Sequence, residues 1–211
     1  MIPQSPTFSD YDLNCRRLMP ELVGPVYCEL RHSVMFLRQI QTLLFELFWE
    51  NEPAALLYHT SPFFSYAIHE CLLREVLLNA ARLTDRAASG SGRDKANLSF
   101  ARLLSEIEAA ASHALATKIS SAVAAISSAT KDIHKLRSKV LAHADLSTAI
   151  DASPPPLPEV SREQFEVLTN KMVSVLQDVE QHYCGSSTNY DGEAAKRASI
   201  ELLGALRRAR P

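Results

Sequence analysis

Long apolar runs are missing from this sequence. The most apolar stretch, from Leu43 to Trp49, is short and is interrupted by Glu46. A membrane-spanning helix needs about 20 consecutive apolar residues, and a signal peptide needs a basic start followed by an apolar segment. The opening residues, Met-Ile-Pro-Gln-Ser-Pro, show neither property. We therefore expect a cytoplasmic protein that has no membrane partner.

Paired cysteines are missing too. No two cysteines form a C-x-x-C pair, and none has a histidine at the spacing of a zinc site. The sequence has only Cys15, Cys28, Cys71 and Cys184. This scatter predicts reduced thiols and no metal site.

The motifs of the common cofactor enzymes are also absent. The chain holds 6 glycines and contains neither a Walker loop nor G-x-G-x-x-G. It lacks H-E-x-x-H and G-x-S-x-G as well. We therefore predict no cofactor. The 22 basic and 24 acidic residues give a formal net charge of -2, so any contact with nucleic acid must be local.

Apolar residues recur at helical spacing through most of the chain, and no segment alternates with a period of two over an appreciable length. The pattern predicts helices over 21–50, 62–86, 99–111, 113–146, 161–185 and 193–210. Between them we expect a flexible arm over 1–19, a break over 51–61 and a loop over 87–97. The prolines between Ser153 and Pro158 predict an extended linker over 151–160.

These elements predict an all-α antiparallel helical bundle. Four long helices within 20–150 would form its core, and the helices of 161–211 would pack on it as a C-terminal appendage. Three residues are predicted to cap helices, namely Ser61 before Pro62, Ser99, and Ser161 in a capping box with Gln164.

A polar stripe interrupts the apolar helix predicted over 62–86. Its members follow one another at intervals of mostly three or four residues, and they are Glu70, Arg74, Glu75, Asn79, Arg82, Asp85 and Arg86. Two interpretations remain open. The stripe could be a set of intrahelical ion pairs at an exposed edge, or its end at Arg82 and Asp85 could face a polar site.

The most informative segment is Arg137-Ser138-Lys139-Val140-Leu141-Ala142-His143-Ala144-Asp145. A guanidinium that is always charged can hold a phosphodiester while a neighbouring imidazole moves a proton. That combination meets the requirement for metal-free RNA cleavage. On one helix, however, six residues place Arg137 and His143 about 120 degrees apart, so a single chain does not obviously complete a site.

The segment resembles the signature R-N-K-x-x-A-H-x-D of the abortive-infection, AbiU-like branch of the HEPN superfamily. The resemblance spans about residues 20–150, and it includes the segment from Leu77 to Asp85 and the segment from Asn97 to Phe100. It implies a homodimer that brings two motifs together in a composite, metal-independent endoribonuclease site. Such a protein would be a toxin or phage-defence effector that cuts RNA, with a cognate antitoxin as a further partner.

Carried over to this chain, the resemblance makes Arg137 the phosphate-binding residue and His143 the general acid or base. Lys139 would add positive charge, and Asp145 would orient a neighbour. The family often has asparagine where this chain has Ser138. Two alternatives therefore stay open: a non-catalytic HEPN module that binds RNA, a nucleotide or a protein, and an interaction protein whose partner surface is the alanine-rich stretch from Ala109 to Ala129.

Overall fold

Helices account for almost all of the regular structure in the part of the chain that the computed structural model describes, residues 10–88, 96–136 and 160–209. The helices are α1 (Asp10–Leu18), α2 (Val23–Leu44), α3 (Asn51–Thr60), α4 (Pro62–Leu83), α5 (Phe100–Ala109), α6 (His113–Ala129), α7 (Lys131–Leu136), α8 (Arg162–Cys184) and α9 (Glu193–Ala209). A π-helical turn, Phe45–Trp49, extends α2. No strand occurs in these ranges beyond an isolated bridge between Ala88 and Ala96. The prediction of an all-α bundle is confirmed.

One hydrophobic core joins α2, the C-terminal half of α4, α5, α6 and α8. The largest fully buried side chains are Tyr27, Leu30, Leu37, Leu44, Leu83, Phe100, Leu103, Ile107, Ile119, Ile126, Leu168 and Met172. Helix α8, which we expected to pack on the bundle, therefore supplies core residues of its own. None of the described helices is both long and apolar enough to cross a membrane.

The N-terminal arm was predicted wrongly over the residues that the structure describes. Asp10–Leu18 is helical, and its Asp12 and Cys15 are buried. Arg31 on α2 donates to the Asp12 carboxylate at 2.7 Å, and His32 Nε2 lies 3.2 Å from the same carboxylate. Periodicity missed this helix because it is short and places few apolar residues, Tyr11 and Cys15, against the core, while the buried Asp12 pairs with Arg31 on α2. Residues 1–9 lie outside the described ranges.

The predicted break over 51–61 is also wrong. Only Glu50, whose backbone is extended, separates the π-helical turn from α3. Pro53 is compatible with a helix there because it falls in the first turn, where the backbone N–H has no intrahelical partner. The second long helix begins at Pro62 as predicted, but the Ser61 side chain makes no capping hydrogen bond.

The other two predicted caps are confirmed. Ser99 accepts from the backbone N–H of Arg102, and Ser161 with Gln164 forms a capping box. The helix predicted over 113–146 is instead interrupted at Thr130, between α6 and α7. Its predicted continuation past Leu136, the linker through residue 159 and the loop positions 89–95 lie outside the described residues.

Candidate functional site

The sequence motif begins at the residue that follows α7. Arg137, Ser138, Lys139, His143 and Asp145 all lie outside the described residues, whereas α7 is described to its end at Leu136. The structure therefore locates the chain that leads into the motif and the surface on which that chain packs.

Helix α7 packs on the C-terminal end of α4. Ile133 is buried in the common core. His134 is partly exposed, and its Nε2 lies 3.1 Å from Oγ1 of Thr84, the residue that follows α4. The other ring nitrogen, Nδ1, lies 3.8 Å from a carboxylate oxygen of Asp85. One imidazole thus contacts two consecutive residues at the end of α4, only three positions before Arg137.

The hydrogen bonds of Thr84 assign the proton in this contact. Its hydroxyl lies 2.9 Å from the carbonyl oxygen of Ala80 and 3.0 Å from that of Ala81. Since a hydroxyl has one hydrogen, and carbonyls only accept, that hydrogen is used within α4. With that hydrogen placed on the carbonyls, we assign the Thr84 oxygen as the acceptor and His134 Nε2 as the donor of the 3.1 Å contact.

The polar stripe of α4 has a different character at each end. In the N-terminal half, Arg74 and Glu70 form an exposed intrahelical ion pair at 3.5 Å. Towards the C-terminus, Arg82 Nη2 donates to Asn79 Oδ1 at 3.0 Å. Asp85 faces His134 across the gap between helices. Simple intrahelical pairing therefore describes the first part of the stripe, whereas Asp85 contacts the segment that precedes the motif.

A second polar cluster, which the sequence did not predict, lies between α2 and the end of α8. The fully buried Glu180 accepts hydrogen bonds from Tyr27 Oη at 2.8 Å, Ser186 Oγ at 2.9 Å and the Thr188 N–H at 2.9 Å. Burial favours the protonated carboxyl, but the hydrogen bonds, chiefly from Tyr11 and Tyr27, outweigh burial and hold the pKa of Glu180 below its ordinary value. The hydrogen bonds from Ser186 and Thr188 to Glu180 attach the loop after α8 to the core.

The four cysteines are free thiols, as predicted. Cys15 and Cys184 lie with their sulfurs 3.7 Å apart. Within the described ranges, no group of three or more histidine, cysteine or acidic residues has the geometry to hold a metal ion.

A comparison with family models places this site in context. The HEPN family model described as AbiU2 matches residues 19–199. The match extends beyond the 20–150 range of the resemblance and takes in α8 and the beginning of α9, together with Thr84, His134 and the whole motif. No curated protein and no solved structure matches the chain. Because the match covers most of the sequence, the chain belongs to the AbiU2 family of HEPN proteins.

Proposed function

We propose that the protein is a metal-independent endoribonuclease of the HEPN type, acting as a toxin or phage-defence effector. Family membership supports a HEPN-type function related to abortive infection. The observation that carries the finer proposal is the pair Arg137 and His143, which is spaced as in the HEPN signature and follows α7 directly.

In this mechanism His143 removes the proton from a ribose 2′-hydroxyl, or donates one to the leaving 5′-oxygen. The 2′-oxygen attacks the phosphorus and the P–O5′ bond breaks. The products are a 2′,3′-cyclic phosphate and a 5′-hydroxyl end. Arg137 binds the phosphate and offsets the negative charge of the transition state, and Lys139 adds positive charge. Ser138 and Asp145 support the pair, and no step needs a metal.

In this proposal the site is composite and lies at a homodimer interface, because a continuous helix would place residues at the spacing of Arg137 and His143 about 120 degrees apart. The surface of α4 supports a second copy as the partner. Phe63, Phe64 and Tyr66 are 83%, 60% and 58% exposed at its start, and Leu78 is 38% exposed near its end. Large exposed apolar side chains that share one helix are typical of an interaction site. We assign this exposed α4 face, defined by Phe63, Phe64, Tyr66 and Leu78, to the homodimer.

One alternative function has its own supporting observation. Ser138 stands where the HEPN signature has asparagine, and its side chain is shorter. A motif that binds RNA, a nucleotide or a protein partner such as a cognate antitoxin, without cleavage, accounts for that difference.

The test is cleavage of total RNA and purified tRNA in excess EDTA by the wild type, His143→Ala and a control, His113→Ala. His113 is an exposed histidine at the start of α6, so its loss leaves the motif intact. Cleavage by the wild type and the control, with cyclic phosphate ends and none from folded His143→Ala, supports the proposal. RNA binding without product by all three proteins supports the alternative, whereas cleavage that survives in His143→Ala contradicts the assignment of His143.

A further inference from the structure

We propose that Thr84 and His134 form a positioning contact for the motif, which holds the chain entering Arg137 against the end of α4. The inference rests on the proposed function, because the residues to be positioned are the catalytic pair. It assigns to Thr84, Asp85 and His134 a role that the Arg/His signature does not contain.

The hydrogen bond between Thr84 and His134 stabilises the placement of α7 against the end of α4. Thr84 is 7% exposed, so its oxygen has little access to water. Its hydroxyl hydrogen already serves the carbonyls of Ala80 and Ala81, and the oxygen accepts from His134 across 50 residues of sequence. A buried polar atom that loses its hydrogen-bond partner destabilises the arrangement that buries it. The bond therefore selects one placement of α7 over others.

Several neighbouring contacts together hold α7 in place. Ile133 is buried beside His134, and Leu136 packs against the same core, so α7 is held by apolar contacts together with the polar contact of His134. Asp85 lies on the Nδ1 side of the same ring at 3.8 Å, which fixes the orientation of the imidazole as well as its position. A six-residue helix is too short to be stable by itself. The position of α7, the segment that immediately precedes Arg137 in the sequence, depends on these contacts with the core and the end of α4.

The position of a catalytic group affects the turnover rate more strongly than it affects substrate binding. A displacement of about 1 Å in a catalytic group lowers turnover by about a hundredfold. Substrate binding along the RNA backbone depends on charges spread over a larger surface, and it tolerates such a shift better. Loss of the Thr84 hydroxyl should therefore lower kcat about tenfold to a hundredfold and change KM much less.

The experiment compares Thr84→Val with Thr84→Ser, which keeps the hydroxyl, and with Thr130→Val as the matched control. Thr130 is also buried, and its hydroxyl bonds two carbonyls of its own helix, those of Ile126 and Ser127. Thr130→Val therefore removes equivalent bonds without removing the contact to His134. We expect a fall in kcat for Thr84→Val alone, with rescue in Thr84→Ser. His134→Leu should reproduce the loss, and the double variant should lose no more than either single one, because both act through one bond.

Hydrogen exchange of peptides covering residues 137–145 provides a readout that does not need activity. We expect faster exchange there in Thr84→Val and His134→Leu than in the wild type, Thr84→Ser or Thr130→Val. If the wild type cleaves RNA but Thr84→Val matches it in kcat and exchange, the positioning role is wrong and the proposed function stands. If the wild type does not cleave, the proposed function fails, and exchange alone decides the inference. Equal exchange in all five proteins overturns it.

Discussion

The Tyr27 hydroxyl donates to the Glu180 carboxylate at 2.8 Å, across 153 residues of sequence. The bond joins α2 to the end of α8 inside the core, where both side chains are fully buried. A carboxylate in that position is tolerated only because its oxygens are hydrogen-bonded. The long-range register of the bundle therefore depends on a polar pair as well as on apolar packing.

We predict that Tyr27→Phe lowers the free energy of unfolding by about 1.5–3 kcal/mol, the range for a hydrogen bond to a charged group. The ring remains and only the hydroxyl is lost, so the effect reports the bond to Glu180. Urea denaturation followed by circular dichroism measures it. Tyr66→Phe is the control, because Tyr66 is 58% exposed in the single chain and the substitution keeps the ring on the proposed dimer face. Equal stability of the two variants would show that the buried bond contributes nothing.

The same carboxylate gives a pH prediction. Hydrogen bonds hold the pKa of folded Glu180 below its ordinary value of 4.5, although burial opposes them. A depressed pKa stabilises the folded state above the unfolded pKa, and this stabilisation is lost as the pH falls from 4.5 through the folded pKa. In that range Glu180→Gln should lose less stability with falling pH than the wild type does. Parallel stability curves for the two proteins would contradict the assignment.

A third prediction concerns the contact that docks α1. Asp12 pairs with Arg31 at 2.7 Å, and their side chains are only 2% and 10% exposed. Asp12→Ala removes one partner of a buried pair, which costs about 3–5 kcal/mol because no other carboxylate of the described residues pairs with Arg31. We expect trypsin to cut rapidly after Arg16 or Arg17 in this variant. Asp10→Ala, an exposed change on the same helix, should resist cleavage as the wild type does.

Sequence patterns predicted those elements whose signal is local. Ser161 with Gln164 marked the start of α8, and Gly185, with a positive φ of 64 degrees, marked its end. The periodic apolar residues of α2 and α8 marked the core. Helix α1 was not predicted, because a salt bridge to Arg31 contributes to its docking and leaves no periodic pattern. Helix α3 was not predicted, because a proline in the first turn of a helix looks the same in sequence as a proline in a loop.

The residues of the candidate site also differ in whether the sequence alone could predict them. Arg137 and His143 could be predicted as candidate site residues from sequence because the segment around them resembles the HEPN signature. Thr84 and His134 could not be paired, because 50 residues separate them and neither residue type is unusual at its position. Long-range hydrogen bonds between common residue types leave no periodic trace. Only the packing of α7 on α4 shows that the two residues are neighbours.

A fourth prediction concerns the thiols. Burial raises the pKa of Cys28 to about 11 and that of Cys184 to about 12, with smaller contributions from Asp12 and Cys15 respectively. Thiolate is the reactive form, and Cys15 is buried, so only the exposed Cys71 should react readily. Iodoacetamide at pH 7.5 should add one group per folded chain and four after denaturation, as measured by intact mass. Rapid labelling of Cys184 would contradict the packing of α8 against α1.

The last prediction tests the exposed α4 face as the homodimer surface. Phe64→Glu places a charge on an apolar position of that face, and in a two-fold interface the change occurs twice. We expect the dimer to dissociate into folded monomers in sedimentation analysis, with a dimer Kd raised at least about tenfold, because even 1.4 kcal/mol of lost association energy gives that factor. Phe36→Glu on α2 is the control, since Phe36 is 50% exposed but lies on another helix.

If Phe64→Glu remains dimeric while Phe36→Glu dissociates, the interface includes α2 rather than the exposed face of α4. If both remain dimeric, neither position lies at the centre of the interface. A monomeric Phe64→Glu that also loses RNA cleavage, while keeping its fold, would tie the composite site to this face.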